Sequence, residues 1–209
     1  MDEHGNDSDG TTVTFGFRTP RKRRFEQTGF LLYGKVVAAA RRPWLFAACG
    51  VPDTLDGRFD AIALFAALLI RRLRHAPPPG PELAQALFDA MFSDMDLNLR
   101  ELGVGDLSVG KKVRAMWEAF HGRALAYEAA LDAGDEAALT AALCRNVWRG
   151  SPAPGAAALA RLVQATDASL ERQSLESFLA GEVVFPDPPP ASADPAPASS
   201  SLPIAGPRS

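Results

Sequence analysis

Residues 89–127, DAMFSDMDLNLRELGVGDLSVGKKVRAMWEAFHGRALAY, decide the fold. Apolar stripes at helical period lie on either side of a glycine pair. Leu83, Leu87, Phe88, Met91, Phe92, Met95, Leu99 and Leu102 fill one half-turn arc before Gly103. After Gly105, Val109, Val113, Met116, Trp117, Phe120, Ala124, Tyr127 and Leu131 share a narrower stripe. The spacing predicts two helices, over 81–102 and 108–133, joined by a glycine hinge. Gly103 suits a left-handed C-cap and Ser108 the N-cap of the second helix. Arg114 and Glu118 make an outer-face pair four residues apart.

Working upstream, GFLLYGKVVAAARR at 29–42 predicts a helix stopped by Pro43, with Leu32, Val36 and Ala40 on its core side. Basic residues flank both its ends, so an interfacial position stays open beside core packing. Between Pro43 and Asp60 the chain reads as a loop. Pro52 and the Asp56-Gly57 pair are turn chemistry there, since Gly57 tolerates a positive φ and Asp56 can bond nearby backbone N–H groups. Arg58 and Phe59 lead into a helix through Leu73 that is apolar nearly all round and basic at its end, with Arg71, Arg72 and Arg74. Prolines at 77–79 break it. Downstream, 135–149 predicts a fifth helix, and Leu159, Leu162, Val163 and Leu170 mark a sixth that fades near Phe178. No alternating pattern is long enough to build a sheet.

The reading is therefore all-α: one domain of about six helices over 29–182. A disordered basic arm (1–28) precedes it, and a disordered Pro/Ala/Ser-rich tail (183–209) follows. Apolar residues at 47% and charged residues at 22% fit a sizeable core. A net charge of −3 excludes a chain that is basic as a whole, and with it a DNA-binding role. Arg18, Arg21, Lys22, Arg23 and Arg24 crowd together locally. They read either as a solvated tail or as a contact with ribosomal RNA or anionic lipid. Cys49 and Cys144 form neither a metal spacing nor a disulfide framework. No apolar run approaches the roughly 20 residues needed to span a bilayer. The start is acidic, unlike a secretory signal or a transit peptide. The expected location is cytoplasmic, with peripheral contact at the inner membrane as the open variant.

Motifs that would carry catalysis fail on geometry. GDLSVGKK at 105–112 matches seven positions of a phosphate-binding loop, but Lys112 stands where Ser or Thr should hold magnesium, and no strand precedes it. Asp94 and Asp96 lie about 200° apart at about 100° per residue, so one helix cannot clamp an ion between them. Asp96, Asp89 and Arg100 fall on the outer face. Asp94 and Glu101 sit at the edge of the apolar arc, and Asn98 sits within it. A buried Asn98 needs partners and would pin its helix to a neighbouring loop. His4, His75 and His121 are scattered, neither cysteine has a base beside it, and no residue is expected to act in catalysis. No cofactor is expected. Two other readings stand beside the one below. One is an all-helical enzyme acting on isoprenoid-like substrates through a metal held by Asp94 and acids from other helices. The other is a helical scaffold without a dedicated client.

Several blocks in order and at fixed spacing carry a resemblance. DTLDGRFD at 53–60, RRLR at 71–74, QALFDAMFSDMDLNLRELGVGDLSVGKKV at 85–113, FHGRALAYEAAL at 120–131 and RNVW at 145–148 resemble the ubiquinol–cytochrome c chaperone family. The similarity spans roughly 30–180, and the Ala/Arg/Pro-rich make-up looks bacterial. It implies a non-enzymatic all-α assembly factor for the cytochrome bc complex that binds newly made cytochrome b. In mitochondrial relatives such a protein works with a small partner near the ribosomal exit tunnel. Residues matching the family blocks and expected at a client or partner contact are Asp94, Asp96, Asn98, Arg100, Glu101, Asp106 and Arg123. Asp53, Gly57, Arg58, Gly103, Gly105 and Tyr127 are expected to serve the fold. A helical groove offering Met91, Met95 and Met116 would adapt to an apolar client helix, because methionine is flexible and polarizable.

Overall fold

The computed structural model describes residues 25–151 and 153–188. Arg18, Arg21, Lys22, Arg23 and Arg24, and most of the proline-rich tail, lie outside the described residues. Eight helices and no strand occur among those described. They are α1 (Glu26–Ala40), α2 (Pro43–Ala47), α3 (Leu55–Arg74), α4 (Gly80–Glu101), α5 (Asp106–Asp132), α6 (Glu136–Val147), α7 (Ala156–Arg172) and α8 (Leu175–Leu179).

The centre is α3, which packs against α1, α4, α5, α6 and α7. Its run from Asp60 to Leu69 is buried without interruption, so the helix has no solvent face there. Thr54 caps it by accepting the Gly57 N–H at 3.1 Å. Gly57 thus sits in a helical first turn, not at the positive-φ turn that the Asp56-Gly57 pair suggests. Its need for glycine is steric: a Cβ would stand 2.0 Å from the Pro52 carbonyl oxygen. The segment after Pro43 also departs from a plain loop, with Pro43 opening the short α2.

The hinge follows expectation in one glycine and corrects the other cap. Gly103 has φ +77, and the Gly103 and Val104 N–H groups close back onto the Arg100 and Leu99 carbonyls. On the far side α5 begins at Asp106 with Gly105 as N-cap, and Ser108 lies inside the first turn. Leu102, placed in the apolar arc by periodicity, is 61% exposed at the hinge. In α5 the stripe is buried at Val109, Phe120 and Tyr127. Among the described side chains of 106–116, Val109 alone is enclosed.

The basic end of α3 does more than complement the helix dipole. Arg71 reaches Asp132 on α5 and Asp167 on α7, each at 2.6 Å, while Arg72 donates to the Leu170 and Gln173 carbonyls. The folded unit also runs past 182. Val183 and Phe185 are buried, with the Phe185 ring edge-on to Phe65 at 5.5 Å. Arg42 donates to the Phe185 and Pro186 carbonyls. The Gln173 amide holds both the N–H and the C=O of Val184 at 2.8 Å.

Candidate functional site

The matched acids on α4 divide by direction. Asp94 accepts the Tyr33 hydroxyl at 2.6 Å and so ties α4 to α1. Burial first, and the Asp94 carboxylate second, push the Tyr33 phenol well above its ordinary range. Asp96 pairs with Arg100 one turn on at 2.7 Å, and the same guanidinium crosses the hinge to Asp106 at 2.5 Å. Asn98 is exposed and donates to the Asp94 main-chain carbonyl at 2.7 Å. It pins no neighbouring loop, because its side chain points outward where the arc had placed it inward. Glu101 is exposed as well, and Arg58 pairs with Asp53 at the surface at 2.7 Å. Asp94 and Asp96 therefore serve different partners. Among the described residues no three His, Cys, Asp or Glu side chains form a group that could hold a metal.

A buried ion cluster escaped the sequence reading. Asp60, in the second turn of α3, is 3% exposed and accepts from Arg123 on α5 and from Arg149 after α6, the latter at 2.6 Å. Desolvation raises its carboxyl above the usual range despite the two guanidinium groups. Arg149 reaches it from a left-handed backbone, φ 56, and also donates to the Asn146 carbonyl. Beside them the Tyr127 phenol is pushed up to about 12, burial outweighing its hydrogen bond to Asn146. Arg123, expected at a partner contact, is thus engaged inside the fold. Asp60 carried a signal: it is an acid at the head of the continuous apolar run of α3, and a buried charge must be paired.

A groove of about 530 Å³ lies between α3, α4 and α5. Its lining combines the small Ala67, Ala84 and Ala124 with the large Phe88, Phe120, Trp117 and Leu125. Trp117 is 45% and Leu125 62% exposed, and the Trp117 ring meets His121 edge-on at 4.3 Å. Phe88 and Phe120 lie 5.6 Å apart behind them. Arg74 and Glu128, 3.7 Å apart, stand at the rim. Met91, Met95 and Met116 are elsewhere: Met91 and Met95 are core residues and Met116 is half-buried against the core. Periodicity marked Trp117 as apolar but could not show that no helix covers it.

A family model described as Ubiquinol-cytochrome C chaperone matches residues 47–185. The chain belongs to that family. The matched span of this chaperone family holds the groove, the Asp60 cluster and the hinge, and leaves α1 outside. The crystal structure of the Cbp3 homolog from Brucella abortus is similar at a TM-score of 0.72 and 37% identity, over 80% of this chain and 93% of that one. Ubiquinol-cytochrome-c reductase complex assembly factor 1 of Xenopus laevis is 24% identical over 102 residues. The chain spans about half the length of that curated relative. Within the chaperone family frame, the blocks DTLDGRFD and FHGRALAYEAAL meet in space at Asp60, joined there by Arg149, which directly follows the RNVW block.

Proposed function

We propose that this chain is a non-enzymatic assembly chaperone for the ubiquinol–cytochrome c reductase complex, and that it holds immature cytochrome b by an apolar client helix laid in the α3–α5 groove. The observation that carries this reading is the open, aromatic-lined groove in a member of a chaperone family. An unassembled membrane protein presents apolar helices, and burying such a surface is favourable by about 25 cal/mol per Å². A groove lined in part by alanines admits a helix closely, and half-exposed Trp117 and Leu125 supply contact area. Arg74 and Glu128 at the rim are charged and sit where a client would need a polar edge.

The charges around the hinge, half-buried Asp96 and exposed Arg100, Glu101 and Asp106, are the proposed contact for a small partner assembly protein. Asp94 and Arg123 act through the fold that presents these surfaces. Ribosome contact and peripheral placement at the inner membrane fit the basic run at 18–24 in the sequence.

A photo-crosslinking residue placed at 125 should capture cytochrome b, and one on the far face at Arg145 should not. Leu125→Asp, on an exposed site, should leave thermal stability nearly unchanged and lower bc-complex content and cytochrome b haem absorbance toward the level of a gene deletion. Normal cytochrome b spectra in the deletion strain would overturn the chaperone role. A silent L125D in a strain where the deletion is severe would overturn only the groove.

A further inference from the structure

α1 carries two helical stripes, and only one of them is used by the core. Gly29, Leu32, Tyr33, Val36 and Ala40 face α3 and α4. The opposite positions Gln27, Phe30, Leu31, Gly34 and Ala38 follow the same i, i+3, i+4, i+7 spacing and are all exposed. Phe30 is 46% and Leu31 51% exposed, and this outer stripe holds no charge. Lys35 and Arg41, both exposed, flank it. The acid on α1, Glu26, lies in the first turn and is half-buried. Glu182 follows Gly181, which packs under Leu31, and bounds the face there.

We infer that this outer face of α1 is a docking surface for an anionic lipid bilayer, lying in the headgroup plane with Phe30 and Leu31 inserted. Charge complementarity selects the occupant: an apolar stripe edged by cations suits acyl chains beneath negative headgroups. A second copy of this chain fits poorly, because face-to-face pairing would set Lys35 and Arg41 against like charges. No helix among the described residues is long and apolar enough to cross a membrane, so any hold on a bilayer through them lies along its surface. The surface is on α1, outside the groove walls, and stands independently of the client reading.

The test is cosedimentation of the full chain with phosphatidylcholine vesicles, with and without phosphatidylglycerol, and no client present. Wild type should pellet with the anionic vesicles. Phe30→Ser should cut the bound fraction by about tenfold, the effect of about half a phenylalanine's burial, and Ala38→Asp, which sets an anion against the negative headgroups, should cut it comparably. Both sites are exposed, and Lys35→Glu serves as a third variant should either fail to fold by circular dichroism. Replacing Arg21, Lys22, Arg23 and Arg24 together by Gln separates the arm from the face. Three outcomes would overturn the proposal: no vesicle binding by wild type, full binding by F30S and A38D, or loss confined to the arm variant.

Discussion

Asp60 and Asp132 show two carboxylates of one fold setting opposite pH responses. The Asp60 carboxyl is raised by burial, so it takes up a proton more readily folded than unfolded. Its contribution to stability therefore falls as pH rises from the ordinary carboxylate value through its own higher one. Asp132 works the other way. Arg71 holds it below the usual range, so its contribution is complete above the ordinary value and is lost as pH drops through the lowered one. Asp60→Asn should thus steepen the rise of the urea midpoint between about pH 3 and about pH 6, the carboxylate window. Truncation is harsher: Asp60→Ala strands Arg123 and Arg149 and should cost about 3–5 kcal/mol in urea unfolding at neutral pH. Gly57→Ala, which drives a methyl into the Pro52 carbonyl, should cost about 1–3 kcal/mol by the same measurement.

At the level of elements, the two hinge glycines behave differently under substitution. Gly103 sits at φ +77 with open space around it, so Gly103→Ala should cost about 1–2 kcal/mol from backbone strain alone. Gly105 has φ −61 as an N-cap, and alanine there should cost much less; paired thermal melts would show the asymmetry. The stripe of α7 was fully legible in the sequence, because Leu159, Leu162, Val163 and Leu170 are all buried. The stripe of α5 was legible only as a period. A repeat of apolar positions says which side chains share a face, not whether a neighbour covers that face, and Trp117 is where the two questions part. Asn98 failed for the same reason: its place within the arc does not say whether a neighbour covers it, and near the end of α4 it is exposed.

For the whole molecule, closure depends on contacts between distant parts of the chain, and these the sequence did not disclose. Helical propensity and turn chemistry are local, so the all-α class and helix order could be read directly. Arg123 and Arg149 on Asp60, or Phe185 on Phe65, join residues far apart, and no local pattern announces them. A chain ending after 182 loses Val183 and Phe185 and should be weaker by about 3–6 kcal/mol in chemical denaturation.

The sparse packing around the first turns of α5 has a consequence that hydrogen exchange can read. Over 106–116 only Val109, of the described side chains, is enclosed, whereas Phe120, Tyr127 and Ala130 are sealed into the centre. Amide protection along this continuous helix should therefore climb from its hinge end toward Asp132, with a step near Phe120. One 27-residue helix would behave as two cooperative units, the looser one opening many times while the tighter stays shut.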